Sequence, residues 1–298
     1  MQLALTGRRR ELSTPTTGLV SWYEDAPTTA TASMRPLVLI HSINAAGSAC
    51  EVKPIYDHYR RERPVIALDL PGFGLSERTQ RAYTPRLMTD AIHAVVSHIR
   101  NERSVATVDA IALSLSCEFL ARAASEAPAQ YRSLGLISPT GFNRKRLREG
   151  PPGSNLGRPA IHALISSPVL GPKLFGLLTR RAVIQYFLRR TWGSADIDDG
   201  LLDYDYLITH VPGAEHAPLQ FLTGFLFSGD SGTLYRGLGA PVWVVHGVRG
   251  DFVNYEGLCT FADRTNWKIE SLPTGALPHF EMIAEFSRRY DAWSAGLG

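Results

Sequence analysis

The sequence predicts an α/β protein: a mostly parallel central sheet with helices on both faces and a helical insertion late in the chain. Three observations predict it. Short apolar runs bounded by turn residues recur, as "RPLVLIHSI", "RPVIALDLPG", "TVDAIALS", "SLGLISPTG" and "PVWVVHG". Most are followed by a stretch with helical periodicity. The alternation then stops between residues 141 and 237, where apolar helical segments such as "AIHALISSPVLGPKLFGLLTRRAVIQYFLRR" take over. Strands that alternate with helices build βαβ units, whose parallel strands are covered on both faces and so read as continuous apolar runs.

Taken in order, "GLVSWYEDAP" reads as an antiparallel hairpin at the sheet edge, and helices are expected over residues 48–61, 84–101, 117–126 and 280–295. The Pro-, Gly- and base-rich stretch "TGFNRKRLREGPPGSNLGRP" leads into the insertion. The expected division is a core of residues 1–140 and 238–298 and a helical cap of residues 141–237. No internal repeat is evident.

Composition narrows the function classes. A chain of 298 residues that is 44% hydrophobic can bury a large core. Its 31 basic residues against 28 acidic ones leave only +3, with no basic stripe interleaved with aromatics, so a nucleic-acid partner is not expected. The three cysteines, Cys50, Cys117 and Cys259, are widely spaced and contain no C-x-x-C pair, which suggests neither a disulfide framework nor a zinc site and points to a reducing cytoplasm. The N-terminus has its basic residues after a short apolar stretch, the wrong order for a secretory signal, and no apolar run is long enough for a membrane span. A small hydrophobic molecule is the expected partner, and neither a cofactor nor a metal is called for.

The chemistry is concentrated in "VDAIALSLSCEFLARAA". Ser114 follows a strand, precedes a helical pattern and is flanked two positions away by the small residues Ala112 and Ser116. That is the outline of a G-x-S-x-G nucleophile elbow without its glycines. The bland alternative is a small polar residue filling a strand end. Ser116 is expected to serve the turn, and Cys117 to begin the helix and pack inward.

In sequence order, "PLVLIHSINAAGSA", "ALDLPGFGLSER", "IALSLS", "VWVVHGVRGD" and "LPTGALPHFE" resemble the motifs of the α/β-hydrolase fold superfamily over nearly the whole chain. The D-x-P-G-x-G-x-S segment from Asp69 to Ser76 is the most specific of them. The resemblance implies a serine hydrolase or acyl transferase with Ser114 as nucleophile, an oxyanion hole from the Leu115 and Ile43 N–H groups, and a helical cap. Asn44 is expected either to assist the substrate or to brace the loop, and His41 to organise that loop. The acid implied is Asp251, one residue beyond the usual G-x-x-D position, which is Gly250. The base implied is His279, because Ala276 occupies the usual histidine position; either the loop turns His279 inward or the base is gone. His246 is a poorer candidate. An ester or thioester of a hydrophobic acid or alcohol suits the apolar segment 161–188, expected to line a pocket unless it only buries the cap on the core. The alternatives are a lyase, cyclase or cofactor-free oxygenase on the same fold, or a non-catalytic binding protein.

Overall fold

A computed structural model describes residues 2–31, 34–144 and 146–297. Its strands are β1 (Arg8–Thr14), β2 (Gly18–Asp25), β3 (Leu37–Ile40), β4 (Val65–Asp69), β5 (Val108–Leu113), β6 (Tyr131–Ile137), β7 (Val242–His246) and β8 (Trp267–Ser271). They form one sheet in the order β1-β2-β4-β3-β5-β6-β7-β8. The pairs β1/β2 and β2/β4 are antiparallel and all others parallel, so the N-terminal hairpin sits at the edge.

Helices α1 (Lys53–Tyr59), α2 (Pro85–Arg103) and α3 (Ser116–Glu126) connect the first parallel strands, and α10 (Pro278–Glu281) and α11 (Ile283–Ala295) follow the last. Local sequence sets several boundaries. Thr84 caps α2 by accepting the Leu87 N–H, with Pro85 in the first turn where its missing N–H costs nothing. Between β6 and β7 the chain makes α4 (Pro159–Ile165), α5 (Leu170–Leu178), α6 (Arg181–Trp192), α7 (Asp199–Ile208), α8 (His216–Leu222) and α9 (Ser231–Gly237).

The alternation along each strand divides the core. Ala110, Ala112, Val242 and Val244 pack with α2 and α3 on one face, whereas Ile111, Leu113, Trp243 and Val245 pack with α1 and α11 on the other. The register pairs Ile40 with Ala112, Leu113 with Ile137, and Ile137 with Val245. The C-terminal ends of four strands therefore line up. His41, Ser114, Ser138 and His246 emerge side by side there, the edge at which open α/β sheets bind ligands.

Candidate active site

Ser114 lies in the tight turn between β5 and α3 with φ = 55°. A left-handed backbone costs a residue with a Cβ roughly 1–2 kcal/mol, so surrounding contacts must hold it. Its N–H donates to Ile137 O at 2.8 Å, and its carbonyl accepts the Cys117 N–H at 3.1 Å to start α3. Two small neighbours make this turn possible. Ala112 is fully buried against β3 and β6, and the Ser116 hydroxyl donates to His41 O at 2.5 Å, tying the helix start to the neighbouring loop. The Cys117 thiol is buried against Ala112 O, and burial pushes its pKa well up, which leaves it an inert packing group.

The loop after β3 is held from three sides. His41 is fully buried; its Nδ1–H donates to Ser42 O at 2.5 Å and its Nε2 accepts the Leu70 N–H at 3.0 Å. Asp69, the first residue of the D-x-P-G-x-G-x-S segment, accepts the Ala49 N–H at 2.8 Å and the Leu75 N–H at 2.9 Å. Burial raises its pKa to about 6. Gly74 is required there, because a Cβ would fall 2.0 Å from the Asp69 carboxyl.

The third support is Glu51, in a short 3₁₀ turn before α1. Its buried carboxyl accepts the Ser42 N–H at 2.7 Å, the Ser42 hydroxyl at 2.9 Å and the Asn44 amide at 2.5 Å. Asn44 in turn accepts the Ala46 N–H through its own carbonyl oxygen at 2.7 Å. Of its two expected roles, Asn44 thus takes the bracing one. With Ser42, Ile43 and Asn44 so fixed, the Ile43 and Leu115 N–H groups have no hydrogen-bond partner among the described residues. Sequence inspection missed Glu51. The available signal was an acidic residue inside the apolar stretch Ala49, Cys50 and Val52.

Neither the expected acid nor the expected base hydrogen-bonds to Ser114, whose hydroxyl makes no hydrogen bond among the described residues. Pro278 starts the short helix α10, which turns the His279 ring inward; its Nε2–H donates to Glu51 O at 2.7 Å, and its Nδ1 has no partner among the described residues. Burial lowers its pKa to about 4, so the ring is neutral near pH 7. The Asp251 carboxylate pairs with the Arg190 guanidinium, and the Asp251 N–H donates to Arg190 O at 2.9 Å, fastening the end of α6. His246 lies 4.2 Å from the Tyr255 ring, centroid to centroid, with Nδ1 on Gly247 O.

Ala276, in contrast, is tied to the strand end beside the elbow. Its carbonyl accepts the Ser138 hydroxyl at 2.7 Å, and Ser138 follows Ile137, the partner of Ser114. Backbone packing fixes it there. The Ala276 N–H donates to Thr191 O at 2.9 Å, a Cβ on Gly275 would meet Trp192 O at 2.4 Å, and one on Gly247 would meet Gly275 O at 1.8 Å. The apolar segment expected to line a pocket is largely exposed: α4 buries none of its residues and α5 only Gly171 and Phe175, and a shallow hollow of about 370 Å³ between α5 and α6 is lined by Leu177, Lys173, Gly176 and Arg180. A larger cleft of about 640 Å³ opens where α6 meets α7, lined by Trp192, Asp196, Asp198, Arg249, Phe280 and Glu281 among others, and Ser114 does not border either.

The buried imidazole has a consequence for stability. A histidine whose folded pKa is depressed resists protonation that the unfolded chain accepts, so stability falls as pH drops from about 6.5 towards 4. Between pH 6.5 and 5 one such ring contributes about 2 kcal/mol to the loss. Asp69, with its raised pKa, acts oppositely up to about pH 6, but equally in parent and variant. His279→Gln is therefore expected to flatten the acid limb by about that amount. Urea melts at pH 7 and pH 5 measure it, and an unchanged slope would count against the buried neutral ring.

Solved structures similar to this chain share its architecture end to end. A serine hydrolase involved in carbazole degradation superimposes with a TM-score of 0.72 at 15% identity, covering 97% of this chain and 99% of the other. An esterase from Thermogutta terrifontis gives 0.70 at 16% identity, covering 98% and 99%. A meta-cleavage product hydrolase from Pseudomonas fluorescens IP01 gives 0.67 at 14%, covering 94% and 95%. No family model and no curated protein matches the chain. Among the described residues no single helix is long and apolar enough to cross a membrane. The eight-stranded sheet, the elbow at Ser114 and these full-length superpositions agree: the chain has the α/β-hydrolase fold.

Proposed function

We propose that this chain is a hydrolase or acyl transferase that takes the acyl group of a hydrophobic ester or thioester onto Ser114, and that a thioester is the better donor. The observation that supports it is the left-handed Ser114 beside two unbonded N–H groups, Leu115 and Ile43. Two such donors stabilise the oxyanion of a tetrahedral intermediate. The helices α4–α9 serve as the cap in this proposal, and Asp251 and His279 act as anchors rather than as acid and base. Three free cysteines suit a reducing compartment, and we place the chain in the cytoplasm.

The preference for a thioester follows from the lack, among the described residues, of an imidazole hydrogen-bonded to Ser114. The Ser114 Oγ bonds to the carbonyl carbon, its proton passes to solvent, and the C–S bond breaks. A thiol has a pKa near 8.5, so the thiolate leaves without a proton, whereas an alkoxide needs a general acid. Water or a second nucleophile then removes the acyl group. A second reading, a lyase, cyclase or cofactor-free oxygenase, is favoured by the same Ala276; in it Ser114 stays free.

Incubation with an aryl thioester, followed by mass spectrometry, is the test. The expected result is an acyl adduct on the Ser114 peptide, formed faster than from the matching oxyester at a rate that climbs through neutral to alkaline pH with no plateau near pH 6.5. An unmodified Ser114 would favour the second reading.

A further inference from the structure

We infer that helices α4 and α5, with the first turn of α6, form a docking face for the surface of an anionic lipid bilayer. Charge is the first observation. Residues 144–195 carry ten Lys and Arg and a single acid, Glu149, whereas the rest of the chain carries 21 basic and 27 acidic residues. From residue 150 to 195 there is no acid at all. Of the six basic residues in that span, Arg181 pairs with Asp203 and Arg190 with Asp251. Arg158, Lys173, Arg180 and Arg189 have no ion-pair partner among the described residues.

Apolar exposure coincides with this charge. Of the thirteen large apolar side chains exposed among the described residues, eight lie between Leu156 and Phe187. Leu164 is 65% and Val169 68% exposed, and Ile161 and Leu177 are also open. Together α4 and α5 have the length and hydropathy of a membrane span, but they are bent by 87° at their junction. A continuous helix of that composition could cross a bilayer. A right-angled pair suits lying on one, with aliphatic side chains among the acyl chains and the cations at the headgroups.

The unpaired cations choose the occupant. An isologous contact with a second copy would set this acid-free, cationic face against its own copy in an apolar setting, which is repulsive. An anionic leaflet supplies the opposite charge along the whole face. Bilayer docking does not depend on acyl chemistry at Ser114, so Ser114→Ala is expected to bind vesicles as the parent does.

Co-sedimentation of the purified chain with vesicles tests the inference. The expected result is binding to equal parts phosphatidylserine and phosphatidylcholine, weak binding to phosphatidylcholine alone, and release on raising salt. Leu164→Asp/Val169→Asp is expected to weaken binding by more than about tenfold, and Lys173→Glu/Arg180→Glu by at least a comparable factor. These positions are exposed, and unchanged thermal melts would show that both variants fold. No binding to anionic vesicles, equal binding by parent and variants, or a parent dimer that Leu164→Asp/Val169→Asp converts to monomer would each overturn it.

Discussion

Ala276→His is expected to raise turnover of a short-chain aryl ester by about 100-fold or more. General-base catalysis supplies roughly 10²–10⁴, and the lower end applies because the Asp251 carboxylate is held by Arg190 and the Glu281 carboxylate by Arg249 and the Gly275 N–H. The position is right for it. Ala276 is tied through the Ser138 hydroxyl to the strand end that hydrogen-bonds Ser114. Ser114→Ala in the same background should remove the gain, and His279→Ala alone should leave turnover of the parent unchanged. The comparison is made on one ester at one pH. A silent Ala276→His together with a collapse on His279→Ala would return the base to His279 and require its ring to leave Glu51.

Gly247→Ala is expected to destabilise the fold by about 3 kcal/mol, because a Cβ there would lie 1.8 Å from Gly275 O and 2.5 Å from Thr274 O. Neither obstacle can move as a side chain would. Both belong to the backbone that sets Ala276, and Gly275 is itself pressed against Thr191 O and Trp192 O. Gly239→Ala is the control, since nothing lies within 4 Å of its Cβ position. Urea melts of the two variants should differ by most of the predicted amount, and equal midpoints would show that the contact relaxes freely.

The parallel core was legible in the sequence because strands buried on both faces are apolar without interruption. The edge hairpin was expected from "GLVSWYEDAP", but the two outermost strands were not visible as apolar runs. In β1, "RRRELST" is largely exposed, and in β8 the Lys, Glu and Ser of "WKIES" are partly or fully exposed, so neither shows an apolar run. At the site, the elbow was readable from small residues around Ser114, whereas the direction of His279 was not. His279 was the only imidazole near Ala276 and so the one candidate there, but Pro278 opens a helical turn that sends the ring to Glu51 O. Residues 161–188 misled for another reason: helical apolar periodicity shows a face, not what covers it.

Glu51 makes the three loops around Ser114 inherit one another's constraints. Its carboxyl is matched by donors from Ser42 and Asn44, and its carbonyl by His279. Replacing Ser42 and Asn44 by glycine would strip two of the three donors from a buried carboxyl, a loss of several kcal/mol if uncompensated. Removing Glu51 first would strand those donors instead. The two changes are thus epistatic, each harmful alone and tolerable together. The fold cannot trade its loops with relatives one at a time, whether by drift or by grafting; the exchangeable unit is the loop with its acid.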